Sequence, residues 1–286
     1  MNKEKYDQLA SDGYCRFPQT LSLEMIDRLR DATDRLLDAQ SMEERTRVRA
    51  QGSMMPITAD PIFAELVTLP AARNAFADLG FPAPTFTDGY IISKPGGSPR
   101  LFWHYDWFAW EDNRSYELPA PQLFCMYYLS DTRPENGCLR VIPGSHIHHH
   151  SLHDLMDAPH SETLGQASDP QRIEFSDQPD EVDVPVQAGD LLIGDARVLH
   201  AAHRNDTDER RTLITLWYQP DFASLPERMQ AQMAAKAQSI PGEWPEEAQS
   251  RLRSIMATYT GTAAAYPRTL YRRRSPVPAG SLAHSE

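Results

Sequence analysis

Apolar and polar residues alternate in short runs through the middle of the chain, and this period of two predicts β-strands. The runs end at turn-forming segments such as Pro95-Gly96-Gly97 and Glu135-Asn136-Gly137. The predicted strands cover residues 85–93, 100–105, 122–129, 138–142, 181–186, 190–193 and 212–219. Short strands separated by turns in this way are typical of a barrel or a double-sheet jelly roll.

On either side of the strands the apolar residues recur every three or four positions, which predicts amphipathic helices. The predicted helices cover a first segment that ends at Gly13, and residues 21–39, 60–79 and 225–260. A strand is expected directly after Gly13. The polar segments 41–60 and 144–180 are predicted as loops, and both are candidate lids over a site.

The 286 residues suffice for one large domain, because all-β barrels of this size often form a single unit. We find no internal repeat and no linker, so we expect one domain over 1–286 that is mainly β with flanking helices. Its core is expected to be a double-stranded β-helix, a cupin-like jelly roll, over about residues 81–222. The helical parts 1–80 and 223–272 would pack on that core.

Composition and charge narrow the function classes. With 41% hydrophobic and 24% charged residues the chain is an ordinary globular protein. A net charge of −12 argues against nucleic-acid binding, which needs a concentrated basic surface, and favours a small-molecule partner. No apolar run is long enough to span a membrane, and the three cysteines form no disulfide or zinc pattern. We therefore expect a cytoplasmic protein; its oligomeric state is not predicted.

The segment Trp103-His104-Tyr105-Asp106-Trp107 carries the chemistry that the rest of the sequence completes. His104 and Asp106 are two residues apart on a predicted strand, so both side chains point to the same face. His200 closes the later segment 189–200 and can supply a third ligand. Two imidazoles and one carboxylate with open opposite positions are typical of non-haem Fe(II) oxygenases. The His-x-Asp pair alone is weak, since its members can simply bond each other.

Three further features accompany the ligand pair. They are the segment Asn136-Gly137-Cys138-Leu139-Arg140-Val141-Ile142-Pro143-Gly144-Ser145-His146, the segment Gly189-Asp190-Leu191-Leu192-Ile193 before His200, and Arg211, eleven residues after it. Together with the ligands, these features resemble the phytanoyl-CoA dioxygenase family of Fe(II)- and 2-oxoglutarate-dependent oxygenases. The resemblance covers roughly residues 85–220.

The resemblance implies a role for each site residue. The implied iron ligands are His104, Asp106 and His200. Arg211 would bind the distal carboxylate of 2-oxoglutarate through its planar guanidinium, and the strand period of two then leaves its neighbour Arg210 facing solvent. Thr87 is a candidate second donor to that carboxylate, although a threonine selected for its strand propensity explains it equally well.

The implied reaction uses O₂ and converts 2-oxoglutarate to succinate and CO₂ while an unactivated C–H bond of a small metabolite is oxidised. Related halogenases replace the ligand carboxylate with a small residue, whereas Asp106 is present here. Hydroxylation or a related oxidation is therefore expected rather than halogenation. The acidic chain favours a free metabolite over one carried on coenzyme A, and a role in natural-product or specialised metabolism.

Pocket walls are expected around the Arg211 face. Trp217 shares that face, and Met126 and Tyr128 lie on the central predicted strand. The aromatic residues next to the ligands, such as Tyr105 and Trp107, should face away from the metal and join the core.

Two alternatives remain open at the level of the sequence. One is a cupin-like metal-dependent hydrolase or isomerase that uses the same triad without 2-oxoglutarate. The other is a catalytically inactive barrel that only binds a ligand. A buried Arg211 would argue against the first, because such an enzyme has no co-substrate carboxylate to bind. An intact triad argues against the second.

Overall fold

A computed structural model describes residues 1–46, 52–157, 161, 164, 171–268 and 272 of the chain. The helices are α1 (Lys3–Asp12), α2 (Leu23–Asp38), α3 (Met42–Thr46), α4 (Ile62–Val67), α5 (Pro70–Asp78), α6 (Leu152–Leu155), α7 (Glu227–Lys236) and α8 (Glu246–Arg253). The strands are β1 (Tyr14–Phe17), β2 (Ser53–Pro56), β3 (Thr85–Lys94), β4 (Leu101–His104), β5 (Leu123–Tyr128), β6 (Leu139–Val141), β7 (Val182–Val184), β8 (Leu191–Asp195), β9 (His200–Ala202) and β10 (Arg211–Gln219). All seven predicted strands are confirmed, with ends shifted by no more than two residues.

The strands form two antiparallel sheets within the described residues. The larger has the order β1-β8-β5-β10-β3-β2 and the smaller the order β4-β9-β6-β7. Met126 and Tyr128 of the larger sheet share one apolar cluster with Val141 and Val184 of the smaller. The two sheets therefore pack face to face, and the chain is mainly β with flanking helices, as predicted.

The opposite face of the larger sheet packs against the N-terminal helices. Cys125 and Tyr127 of β5 belong to a second apolar cluster that also contains Leu29 of α2 and Phe76 of α5. Because successive side chains of a strand point to opposite faces, β5 is buried on both sides and its sequence is apolar throughout. The helix predicted before Gly13 is confirmed, since α1 ends there with φ at 84°.

The prediction of a plain loop over 41–60 is wrong. This segment contains α3 and the strand β2, which pairs with the edge of the larger sheet along β3. Four residues are too few for the apolar and polar alternation of a strand to be recognised, and the partner strand is distant in the sequence. Residues 47–51 lie outside the described residues, as do most of 158–170 in the second predicted loop, so both lids stay predictions.

The pairing of β3 with β10 contains one irregularity. Asp88 pairs with Trp217 and Phe86 pairs with Tyr218, so Thr87 is the extra residue of a bulge. From Asp88 onward the alternation continues regularly and points every second residue of β3 towards the smaller sheet.

Among the helices of the described ranges, none is both long and apolar enough to cross a lipid bilayer.

Candidate active site

The two predicted histidine ligands face each other across one strand pair of the smaller sheet. His104 ends β4, His200 begins β9, and their Cα atoms are register partners. Asp106 follows directly after β4, where the backbone N–H groups of Asp106 and Trp107 both donate to the carbonyl of Ala196, at 2.8 and 2.9 Å. One ligand atom from each of the three side chains lies within 4.8 Å of the other two.

Backbone carbonyls orient both imidazoles. The Nδ1 atom of His104 lies 2.9 Å from the carbonyl oxygen of Phe102, and that of His200 lies 3.0 Å from the carbonyl oxygen of Val198. A proton on Nδ1 donates to each carbonyl and leaves the Nε2 lone pair available for a metal. These Nε2 atoms lie 3.7 and 3.9 Å from the carboxylate oxygens of Asp106. All three ligands thus point to one centre.

Trp217 fixes the orientation of the carboxylate. Its indole Nε1 donates to Oδ2 of Asp106 at 2.9 Å, which is the oxygen nearer to His200. An outer hydrogen bond of this kind holds a ligating carboxylate in one rotamer and tunes the metal. Trp217 was predicted as a pocket wall, and its contact with Asp106 could not be predicted because it joins strands of different sheets.

Arg211 is buried at the start of β10, with 4% of its surface exposed. Its Nε and Nη1 atoms have no hydrogen-bond partner among the described residues. Burial lowers the pKa of Arg211, and the nearby Tyr128 and Cys138 raise it in part. The adjacent Arg210 points outward and pairs with Asp34 and Asp38 of α2.

Lys94 is a second buried basic side chain that sequence reasoning missed. It is the register partner of Arg211 across β3 and β10, it is 1% exposed, and its ammonium donates to the carbonyl of Pro99. Burial, and then the charge of Arg211, lower the pKa of Lys94 well below its ordinary value. The alternation from Asp88 to Lys94 along β3 is the sequence signal that could have found it.

One cavity brings together seven of the eight predicted site residues. Its lining comprises Met54, Ile92, Lys94, Leu101, His104, Asp106, Met126, Tyr128, Leu139, His200, Ala202, Arg211, Leu213, Thr215 and Trp217. The ligand triad and the buried Arg211 therefore open into the same space, between the two sheets.

Thr87 is the predicted site residue that the structure does not bring to Arg211. It lines a neighbouring cavity, and its hydroxyl bonds to the side-chain oxygen of Gln219. Thr87 lies near the start of β3, whereas Arg211 pairs with Lys94 at the end of that strand, so the length of the strand separates the two residues.

The neighbouring cavity has a volume of about 390 Å³ and adjoins the first at Met54, Asp106 and Trp217. Charged and aromatic residues also line it, Asp88 and Lys236 among them. Burial raises the pKa of Asp88 to about 6, with a partial opposing effect from Lys236. Sequence reasoning did not find these residues, since α7 and β3 meet only in the folded chain.

The aromatic residues around the ligands form a core, as expected. Tyr105, Trp107 and Trp110 are each 1% exposed or less and belong to an apolar cluster that includes Met229 and Met233 of α7. Packing on that side buries the turn after β4, and the ligands point the other way.

A second group of possible metal ligands contains Cys138, Asp183 and His203. His203 is paired with the half-exposed Asp183 at 2.6 Å. Burial raises the pKa of the Cys138 thiol to about 12. A protonated thiol is a poor metal ligand, so this group is better explained as a hydrogen bond between His203 and Asp183 over a buried cysteine.

The residues present fit an iron ion and a 2-oxo acid. The triad offers two imidazole nitrogens and one carboxylate around one centre, which is the facial donor set of non-haem iron enzymes. The unpartnered nitrogens of Arg211 fit a carboxylate, since a guanidinium forms two parallel hydrogen bonds with that group. The fold and the site thus define a mainly β protein with a candidate metal site between its two sheets.

The chain belongs to the phytanoyl-CoA dioxygenase (PhyH) family, whose sequence model matches residues 9–213. This confirms the family expected from the sequence, and the expected enzyme class, an oxygenase, follows from that membership.

Two relatives show how distant the similarity is. Phytanoyl-CoA dioxygenase domain-containing protein 1 of Mus musculus is 26% identical over 162 residues, which are 55% of this chain and 52% of the relative. The chain thus spans about half the length of that relative. Methylphosphonate hydroxylase of Gimesia maris is 22% identical over 233 residues, 76% of this chain and 80% of the relative.

Solved structures share the fold. HygX from Streptomyces hygroscopicus, with nickel and 2-oxoglutarate bound, superposes with a TM-score of 0.61 at 22% identity and covers 78% of this chain and 88% of its own. The non-heme alpha ketoglutarate dependent epimerase SnoN from nogalamycin biosynthesis has a TM-score of 0.57 at 20% identity, covering 76% and 81%.

Proposed function

We propose that this protein is an Fe(II)- and 2-oxoglutarate-dependent dioxygenase that hydroxylates, or otherwise oxidises, an unactivated C–H bond of a small metabolite. One observation carries the proposal. Two imidazoles and a carboxylate converge within 4.8 Å in a cavity that also holds the buried, incompletely partnered guanidinium of Arg211. A metal site alone would not require that cation.

Each residue has a defined task in this proposal. The proposed iron ligands are His104, Asp106 and His200. Arg211 would bind the distal carboxylate of 2-oxoglutarate, and Lys94, its register partner, places a further nitrogen donor at that end of the cavity. Bound iron and 2-oxoglutarate supply the oxidising power by reaction with O₂, with release of succinate and CO₂. The protein contributes positioning and the exclusion of water.

The proposal includes hydroxylation rather than halogenation, because the carboxylate of Asp106 occupies the position that a halide would need. Known small-molecule complexes of the fold support a metabolite as substrate: HygX has been solved with hygromycin B, and SnoN with nogalamycin RO. The second cavity next to Asp106, which charged and aromatic side chains line together, also supports a free metabolite as substrate. A role in natural-product or specialised metabolism remains part of the proposal.

We extend the proposal to fold and location. The two facing antiparallel sheets support a double-stranded β-helix, or jelly-roll, topology within a single domain. The described free cysteines, Cys15, Cys125 and Cys138, are all buried, which suits a reducing compartment such as the cytoplasm.

The direct test is the stoichiometry of the co-substrate reaction. Purified protein with Fe(II), ascorbate and carboxyl-labelled 2-oxoglutarate should release labelled CO₂ and an equal amount of succinate, both dependent on O₂. The variants His200→Ala and Asp106→Ala should abolish both products. Release of CO₂ without succinate, or activity that survives loss of either ligand, would exclude the proposal.

A further inference from the structure

The second cavity, which Asp88 and Lys236 line, lies next to the proposed metal ligands, where a substrate would have to bind. It adjoins the co-substrate cavity at Asp106 and Trp217 and does not include Arg211. A molecule in it would sit beside the metal ligands without competing for the site proposed for 2-oxoglutarate. Its volume of about 390 Å³ is in the lower range for small-molecule sites.

Two cations line this cavity, Lys236 at the end of α7 and Arg268 in the C-terminal segment. Among the described residues, neither has a carboxylate within salt-bridge distance. The ammonium of Lys236 lies 3.8 Å from the ring centroid of Phe108, which holds it at the cavity wall. Burial and the repulsion of Arg268 lower the pKa of Lys236, and the carboxylates of Asp88 and Asp106 oppose this from beyond salt-bridge distance. An anionic group placed between Lys236 and Arg268 would give both cations the direct partner that neither has among the described residues.

Hydrogen-bond acceptors also line the cavity. The carboxylate of Asp88 accepts a hydrogen bond of 2.9 Å from the side chain of Gln238 and has no ion pair among the described residues. Gln122 is 3% exposed, and its side-chain oxygen has no hydrogen-bond partner among them. A buried acceptor left unsatisfied is costly, so a bound ligand should bring a donor.

We infer that the substrate is a small anion, with a carboxylate or phosphonate group bound by Lys236 and Arg268 and a hydroxyl or amino group that donates to Asp88. The inference rests on the proposed function for the position of the reacting C–H bond. A purely apolar acyl chain would displace water from the charged groups of the cavity without replacing its hydrogen bonds, and a neutral polyol would leave Lys236 and Arg268 without a direct ion-pair partner.

A set of four simple probes separates these contributions. They are 4-aminobutyrate, 3-aminopropylphosphonate, butyrate and n-butylamine. The first two carry an amino group together with a carboxylate or a phosphonate, butyrate carries only the anion, and n-butylamine carries only the amine. Binding is measured by titration calorimetry on the protein with Mn(II) and 2-oxoglutarate. We expect both amino acids to bind, butyrate to bind more weakly, and n-butylamine to give no heat.

Three variants assign the groups. Lys236→Met should weaken both amino acids at least about tenfold, Lys236→Arg should retain most of the affinity, and Asp88→Asn should reduce the preference for 4-aminobutyrate over butyrate. Lys3→Met, which removes a charge far from the cavity, is the matched control and should change nothing. The relative affinities of the carboxylate and phosphonate probes distinguish the two oxyanions.

The outcomes are decisive in either direction. The inference is overturned if none of the anions binds at millimolar concentration, if n-butylamine binds as well as 4-aminobutyrate, or if Lys236→Met binds like the wild type. Repeating the titration without metal and 2-oxoglutarate separates the two proposals. Anion binding that depends on Lys236 in a protein that never decarboxylates 2-oxoglutarate would sustain this site and refute the proposed reaction.

Discussion

Adjacent arginines at the start of β10 have opposite environments, and this contrast isolates the proposed role of one of them. Arg211 points into the cavity of the metal ligands, whereas Arg210 pairs with acidic residues of α2. The strand period of two predicts this division from the sequence, because only one of two neighbours can face inward. The same alternation could have placed Lys94 on the inward face of β3, but not opposite Arg211, because strand pairing decides which side chains meet.

Replacing Arg211 should therefore weaken co-substrate binding specifically. Arg211→Met removes charge-assisted hydrogen bonds of about 1.5–3 kcal/mol, so the Kd for 2-oxoglutarate should rise by at least about tenfold. Arg211→Lys should recover only part of the loss, because an ammonium cannot form the parallel pair. Calorimetry with Mn(II) measures both. Arg210→Met is the control, and an equal loss in that variant would contradict the assignment.

Asp88 predicts a pH-dependent cost of folding. Its pKa in the folded chain is about 6, above the ordinary value of 3.8, so the folded state binds the proton more tightly than the unfolded state. Stability therefore decreases as pH rises from about 4 to about 6, and the full cost, at most about 3 kcal/mol, applies above that range.

Asp88→Asn should remove this cost while keeping an oxygen for Gln238. Thermal melts should show the variant more stable than the wild type at pH 7.5, with the difference vanishing near pH 4. A variant that is less stable at pH 7.5, or a difference that does not depend on pH, would show that the charged carboxylate is not destabilising there.

At the scale of elements, the strands were predictable where apolar alternation is long and local turns bound it. The strand β2 was not, because its four residues pair with a partner far away in the sequence. Thr87 shows the same limit within a strand. Antiparallel pairing sets Lys94, and not Thr87, opposite Arg211, and this register depends on the partner strand, which a single sequence does not give.

Gly194 in β8 allows a ring to pack directly on the backbone. A Cβ atom at this position would lie 2.1–2.7 Å from ring atoms of Phe124, whose ring centroid is 5.1 Å from that of His200. Gly194→Ala should therefore overpack the interior, at a cost of about 1–3 kcal/mol, and disturb the histidine.

The expected result for Gly194→Ala is a melting temperature lower by several degrees together with weaker Mn(II) binding. Gly242→Ala is the matched control, because a Cβ there meets nothing within 4 Å. If both variants melt like the wild type, the ring of Phe124 has room to move and the backbone contact does not constrain the site.

For the whole molecule, the proposed ligands connect the two sheets. The histidines belong to the smaller sheet, while Arg211 and Trp217 belong to the larger. Metal and 2-oxoglutarate bound together should therefore stabilise the entire fold, by about 2.7 kcal/mol at ligand concentrations a hundredfold above Kd. Thermal melts should show the shift with Mn(II) and 2-oxoglutarate. An equal shift in His200→Ala would place binding elsewhere.

Length and pattern thus predicted the mainly β architecture, which the two sheets confirm, and the spaced motifs predicted the family, whose model matches residues 9–213. The assignment of the three iron ligands stays a prediction. The proposed substrate cavity could not be predicted from the sequence, because Asp88 and Lys236, which line it, come from distant segments of the chain. Its chemistry depends on the tertiary arrangement, which no local pattern encodes.

The central claim is that His104, Asp106 and His200 hold iron next to bound 2-oxoglutarate. The most direct measurement is the visible absorption spectrum of the protein mixed with Fe(II) and 2-oxoglutarate without oxygen. We expect the wild type to develop a metal-to-ligand charge-transfer band, and His104→Ala and Asp106→Ala to lose it or reduce it strongly. No band in the wild type, or an undiminished band in either variant, would contradict the proposed site.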